Sequence, residues 1–89
     1  MDRWETGMLA KSLAGHDKGR IYVIINIEET QVHLADGNLR TLDNLKKKKK
    51  KHVQLIREKN DIETADDAAI RRILNKYKKT ETIEMMEES

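Results

Sequence analysis

The chain has 89 residues, 37% of them hydrophobic, with no Phe and no Cys; this allows one domain with a small aliphatic core and excludes disulfides and thiolate metal sites. Net charge is only +2, but residues 40–59 hold nine Lys or Arg against two acids, while residues 1–39 and 60–89 are net −2 and −3. One concentrated basic segment suits a local polyanion contact, and the acidic flanks argue against coating nucleic acid along the whole surface.

Met8 to Leu13 reads as a first strand, with Leu9, Lys11 and Leu13 on one face and Met8, Ala10 and Ser12 on the other. A turn bracketed by Gly15 and Gly19 follows, carrying His16, Asp17, Lys18 and Arg20. Arg20 to Ile27 is the clearest strand. Ile21, Val23, Ile25 and Ile27 share a face, and the other face, Tyr22, Ile24 and Asn26, is apolar enough to make the strand central. Gln31 to Asp36 alternates, with Val32 and Leu34 inward and Gln31, His33 and Ala35 outward. Asp36-Gly37 signals a tight hairpin, with Leu39 to Leu42 as the returning strand, Leu39 partly buried and Arg40 projecting. His52 to Ile56 is a last strand with Val53 and Leu55 in the core. Thr64 reads as a helix N-cap. Ile70, Ile73, Leu74 and Tyr77 give an apolar helical face over about Ala65 to Lys78. Its surface is expected to pack on the chain's own strands, because short isolated helices are marginal in water; a partner protein is the other reading. Thr80 to Ser89 is acidic and reads as frayed.

Five short strands suggest a small barrel. The longest apolar run, Ile21 to Ile27, is too short to cross a bilayer, and Met1 to Glu5 lacks the apolar block of a secretory signal, so the chain reads as cytoplasmic, with no membrane partner.

The lysine run Lys46, Lys47, Lys48, Lys49, Lys50, Lys51 is the one low-complexity segment. It fits a solvated loop, a nuclear-localisation-type run or an electrostatic arm on a polyanion. As an arm held at both ends by Leu45 and Val53, with all six lysines on phosphates, it predicts a log–log salt slope of about −4 to −5. Lysine supplies charge without the planar fork of arginine, so the run adds affinity and little sequence specificity. His16, His33 and His52 have no metal-ligand spacing, and no carboxylate, His or Ser forms a recognisable catalytic arrangement. The chain therefore reads as non-enzymatic, without cofactor, metal or small-molecule substrate. Trp4, Tyr22 and Tyr77 are too few for base stacking along a strand. Trp4 is expected to cover the open end of the barrel and Tyr77 to complete the helix face.

Gly7 to Ile24, with its Gly15-His16-Asp17-Lys18-Gly19-Arg20 loop, resembles the KOW motif of ribosomal and transcription proteins. Gly37 to Leu42, the lysine run and His52 to Ile56 extend the resemblance to about Gly7–Ile56. Over that range the chain is similar to the large-subunit ribosomal protein L-fourteen-e family and to small bacterial ribosomal-protein-like KOW proteins. From the residues alone the glycine loop fits either a solvated turn or a phosphate contact; the resemblance favours contact. It implies a mainly β fold with an SH3-like five-stranded barrel, placed over residues 1–58; beyond it the residues read as a C-terminal α-helical segment over 59–80 and an acidic tail over 81–89, where the chain departs from the long basic C-terminal extension of the ribosomal family. The resemblance also implies RNA binding, with ribosomal RNA as partner and ribosomal proteins as further contacts. Lys18, Arg20, Arg40 and Lys46 to Lys51 would meet phosphates, and Gly19 would let the main chain approach. The alternative is a protein-interaction module that docks a ribosomal protein or the transcription machinery.

Overall fold

The structure, a computed structural model, describes residues 3–88, with side-chain surroundings for residues 3–80. Its elements in chain order are β1 (Leu9–Ser12), β2 (Ile21–Ile27), β3 (Gln31–Ala35), β4 (Lys46–Lys49), one turn of 3-10 helix (Lys50–His52), β5 (Val53–Ile56) and α1 (Asp67–Glu88). The strands form one antiparallel sheet in the order β4-β3-β2-β1-β5. β2 is central, as its two apolar faces require.

Strand alternation sends successive side chains to opposite faces, and both faces are buried. On the first, Met8, Ala10, Tyr22, Ile24, Val32, Leu34 and Val53 pack together, with Trp4, Ile27 and Leu55 against them. On the second, Leu9, Val23 and Ala35 meet Ile70 and Leu74 of α1, flanked by Ile73 and Tyr77. The helix thus spends its apolar stripe on its own sheet. No helix among the described residues is long and apolar enough to cross a membrane.

Several expectations change. Ile27 joins Tyr22 and Ile24 rather than Ile21 and Val23, because the β2–β3 register shifts between Ile24 and Asn26. A bulge adds one residue and inverts the alternation beyond it. Ala35 is fully buried beneath α1, not outward.

Leu39 to Leu42 forms no strand. Asp36 Oδ1 accepts the backbone N–H groups of Asn38 (2.9 Å) and Arg40 (2.8 Å), and Asp67 Oδ1 accepts that of Leu42 (2.8 Å). Carboxylates thereby take the donors that a ladder would need. Leu39 is 64% exposed. The strand that returns along β3 is the lysine run itself, with Leu34 opposite Lys46, His33 opposite Lys47, Val32 opposite Lys48 and Gln31 opposite Lys49.

The helix is capped by Asp66, not Thr64: Asp66 Oδ1 accepts the N–H of Ala69 at 2.8 Å. Its backbone runs to Glu88, through the stretch expected to fray. Lys79 to Glu88 contains no Gly or Pro to stop it, and Glu and Met are good helix formers. The acidic side chains of that stretch, and Ser89, lie outside the described ones.

Candidate nucleic-acid interface

The glycine loop is built from the ends of β1 and β2. Ser12 N–H donates to Arg20 O and Gly19 N–H to Ser12 O, each at 2.8 Å. Gly19 has φ +90°, and a Cβ there would meet nothing within 4 Å. Its requirement is conformational, and its surroundings are open.

At the centre of this basic loop sits an acid. The Asp17 side chain is only 10% exposed. Its Oδ1 accepts from Lys48 Nζ at 3.0 Å and Ser12 Oγ at 2.8 Å. Its Oδ2 accepts from the Tyr22 hydroxyl at 2.9 Å and lies 3.8 Å from Lys46 Nζ. Lys48 Nζ also donates to Ala14 O at 2.9 Å. Among the described residues no buried side-chain polar atom lacks a partner. Burial alone would push the Asp17 carboxyl up, but the hydrogen bonds from Lys48, Ser12 and Tyr22 outweigh it and hold it well below the ordinary carboxylate range. Burial and the bond to Asp17 push the Tyr22 hydroxyl up to about 12.

The register of β4 sorts the lysines. Residues directly opposite in a sheet point to the same face, so Lys46 and Lys48 share the inner face with Leu34 and Val32. There both face Asp17. Lys50, the first residue of the 3-10 turn, has its Nζ 5.5 Å from the centre of the Trp4 ring, within cation–π range. Trp4 packs on the first cluster. Lys47, Lys49 and Lys51 are exposed. The run is therefore no free six-lysine arm. Lys48 and Lys50 are taken up internally, Lys46 lies 3.8 Å from Asp17 and still lines a groove, and the odd members remain for solvent or a ligand.

Among the other predicted contacts, Lys18 is exposed, and Arg20 is half-exposed with Nη1 3.8 Å from Asp36 Oδ2. Arg40 has no side-chain partner among the described residues. Arg20, Arg40, Lys46 and His16 converge on one open groove of ≈ 480 Å³, with Tyr22 and Asp17 in its lining and Leu39 beside them. The glycine loop, the Arg40 turn and Lys46 at the start of the lysine strand thus share one groove, whereas Lys47 and Lys49 project from the other face of β4. The sequence reading missed Asp17, Ser12 and Tyr22 as organisers; the available signal was a lone acid among His16, Lys18 and Arg20.

No protein-family model matches the chain, and no curated protein is found to match it.

Proposed function

We propose that this chain is a non-enzymatic RNA-binding protein of KOW type that contacts structured ribosomal RNA, as a ribosome component or an associated factor. The observation that carries the reading is the bond from Lys48 to Asp17 and Ala14. It fastens the lysine strand to the glycine loop, which supports a shared ligand surface at Lys46, while Lys47 and Lys49 on the other face of β4, and the exposed Lys51 beyond it, stand as general charge. Charge presented on a rigid surface, with few aromatic platforms, favours folded RNA read by phosphate position and shape over stacked single strands. An SH3-like barrel is supported by the strand order β4-β3-β2-β1-β5 and by the 3-10 turn that joins the two edge strands, β4 and β5.

The protein-docking alternative loses half of its proposed surface, since Ile70, Ile73, Leu74 and Tyr77 already pack on the sheet. The sheet edges at β4 and β5 are what remain to it.

Crosslinking in cells followed by sequencing of the attached RNA tests the proposal, with K47Q/K49Q/K51Q as the control. The expected result is enrichment of ribosomal RNA that falls in the variant. An even spread over unrelated transcripts contradicts it. In vitro, only three outward lysines remain to contribute, so the variant should flatten the log–log salt slope by about 2 to 3. It should leave the melting temperature nearly unchanged, because exposed lysines add little stability.

A further inference from the structure

Three candidates stand out beyond the general cationic surface: the open edge of β4, the His33–Glu28 pair beside Lys47, and the groove between the glycine loop and the Arg40 turn. An edge strand bearing lysines is also how sheets avoid pairing with their own copies, and nothing marks an occupant for it. The His33–Glu28 pair is solvent-facing on its Glu28 side and encloses no space. The groove carries an inference.

We infer that this groove is a phosphate-binding subsite with fixed geometry, formed by Arg20, Arg40 and Lys46, and that it seats one backbone phosphate of the bound RNA. The inference rests on the RNA reading and sharpens it, because it assigns specific contact to the groove and leaves Lys47, Lys49 and Lys51 as general charge.

Two carboxylates hold the groove in shape. Asp36 Oδ1 accepts the Arg40 backbone N–H at 2.8 Å, while its Oδ2 faces Arg20 Nη1 at 3.8 Å. One carboxylate therefore fixes the Arg40 main chain and faces the Arg20 guanidinium. On the opposite side Asp17 faces Lys46 at 3.8 Å. Asp17 would repel an anion, but Lys48 bonds it directly at 3.0 Å and balances its charge. The Arg40 guanidinium is unpaired among the described residues, and the Arg20 side chain is 51% exposed, so each keeps N–H donors for a ligand. Arginine's planar fork fits two oxygens of one phosphate, which lysine cannot do. Leu39, 64% exposed beside these cations, offers an apolar surface to the sugar or base next to the held phosphate. The outer lysines have no such fixed frame.

The same tetrahedral oxyanion could come from an RNA backbone or from free phosphate, and the test separates them. Binding of a fluorescently labelled ribosomal RNA hairpin is measured for the wild type, R20Q/R40Q, R20K/R40K and K47Q/K49Q/K51Q, with circular dichroism and melting confirming the fold of each. R20Q/R40Q is expected to bind about tenfold more weakly, and R20K/R40K to keep the salt slope while losing affinity, because it retains charge without the fork. In parallel, inorganic pyrophosphate is titrated into the isotope-labelled wild type. Weak, saturable shifts at Leu39, Arg40 and Arg20 support the subsite. A folded R20Q/R40Q protein that binds RNA within about twofold of wild type overturns the subsite while leaving the RNA reading intact. If the wild type binds no RNA, the RNA reading falls, and pyrophosphate decides the subsite alone: shifts at those amides support it as a site for free phosphate, and their absence overturns it.

Discussion

Replacing Asp17 with alanine is expected to lower stability by about 3–5 kcal/mol, the usual cost of removing one partner from a buried ion pair. The cost is high because one carboxylate serves four groups: Lys48, Ser12 and Tyr22 through hydrogen bonds and Lys46 through its charge. The truncated side chain leaves Lys48, whose side chain is 11% exposed, with Ala14 O as its remaining acceptor, and takes from the Tyr22 hydroxyl its acceptor. A domain of this size has about 5–15 kcal/mol in all, so the melting temperature should fall by at least about 12 °C. A fall under about 5 °C would mean that Asp17 organises nothing. Stability against pH gives a second reading. Asp17 stays ionised in the fold at a pH where an unfolded aspartate is protonated, so its contribution is full above about pH 4 and is lost as pH falls further. Tyr22 acts in the other direction. Its hydroxyl is held protonated up to about 12, so its contribution is full below about pH 10 and is lost as pH rises through the folded value. In the alanine variant the acid loss should flatten.

The Gly37→Ala variant is the next largest. Gly37 has φ +76°, and a Cβ there would lie 2.4 Å from the Asp67 carbonyl oxygen and 2.9 Å from Arg71 Cγ. The carbonyl belongs to the first turn of α1 and cannot swing aside. The turn is also tied to the helix: Arg71 donates to Gly37 O, and Leu42 N–H donates to Asp67. Left-handed strain and overpacking each cost about 1–3 kcal/mol, so the variant should lose about 2–5 kcal/mol in denaturant unfolding. It should also bind RNA more weakly, because Leu39 and Arg40 lie in the displaced turn. Gly19→Ala is the internal control. It meets no atom within 4 Å and should lose only the conformational share, about 1 kcal/mol. Equal losses for the two would contradict the close packing of the turn on the helix.

The β-branched run Ile21–Ile27, the alternation of Val32 and Leu34 and the i, i+3, i+4, i+7 stripe from Ile70 were legible in the sequence because burial period follows directly from element type. The lysine strand was not. A run of one residue type has no periodicity, and lysine is a poor strand former; pairing with β3 and the charge of Asp17 override that preference. The same blindness hid the division of the lysines, since inward and outward members differ only in register. Leu39–Leu42 misled in the opposite sense. It follows an Asp-Gly turn, as a returning strand would, but Asp36 and Asp67 capture its backbone donors, and a side chain 25 residues away cannot be anticipated from local pattern. The Ile25 bulge likewise leaves no mark in a uniformly aliphatic strand. At the site, the cations were visible as charge, whereas the acid that arranges them was visible only as one more turn residue.

Two basic segments, far apart in sequence, are held side by side by the single carboxylate of Asp17, and the proposed function needs them to meet RNA together. Mapping amide chemical shifts of the intact protein as a structured ribosomal RNA fragment is added tests this most directly. The account predicts concerted, salt-sensitive shifts at Lys18 to Arg20, Leu39 to Arg40 and Lys47 to Lys51, with the solvent side of α1 silent. Shifts confined to α1, or to the lysine strand while the glycine loop stays unmoved, would contradict it.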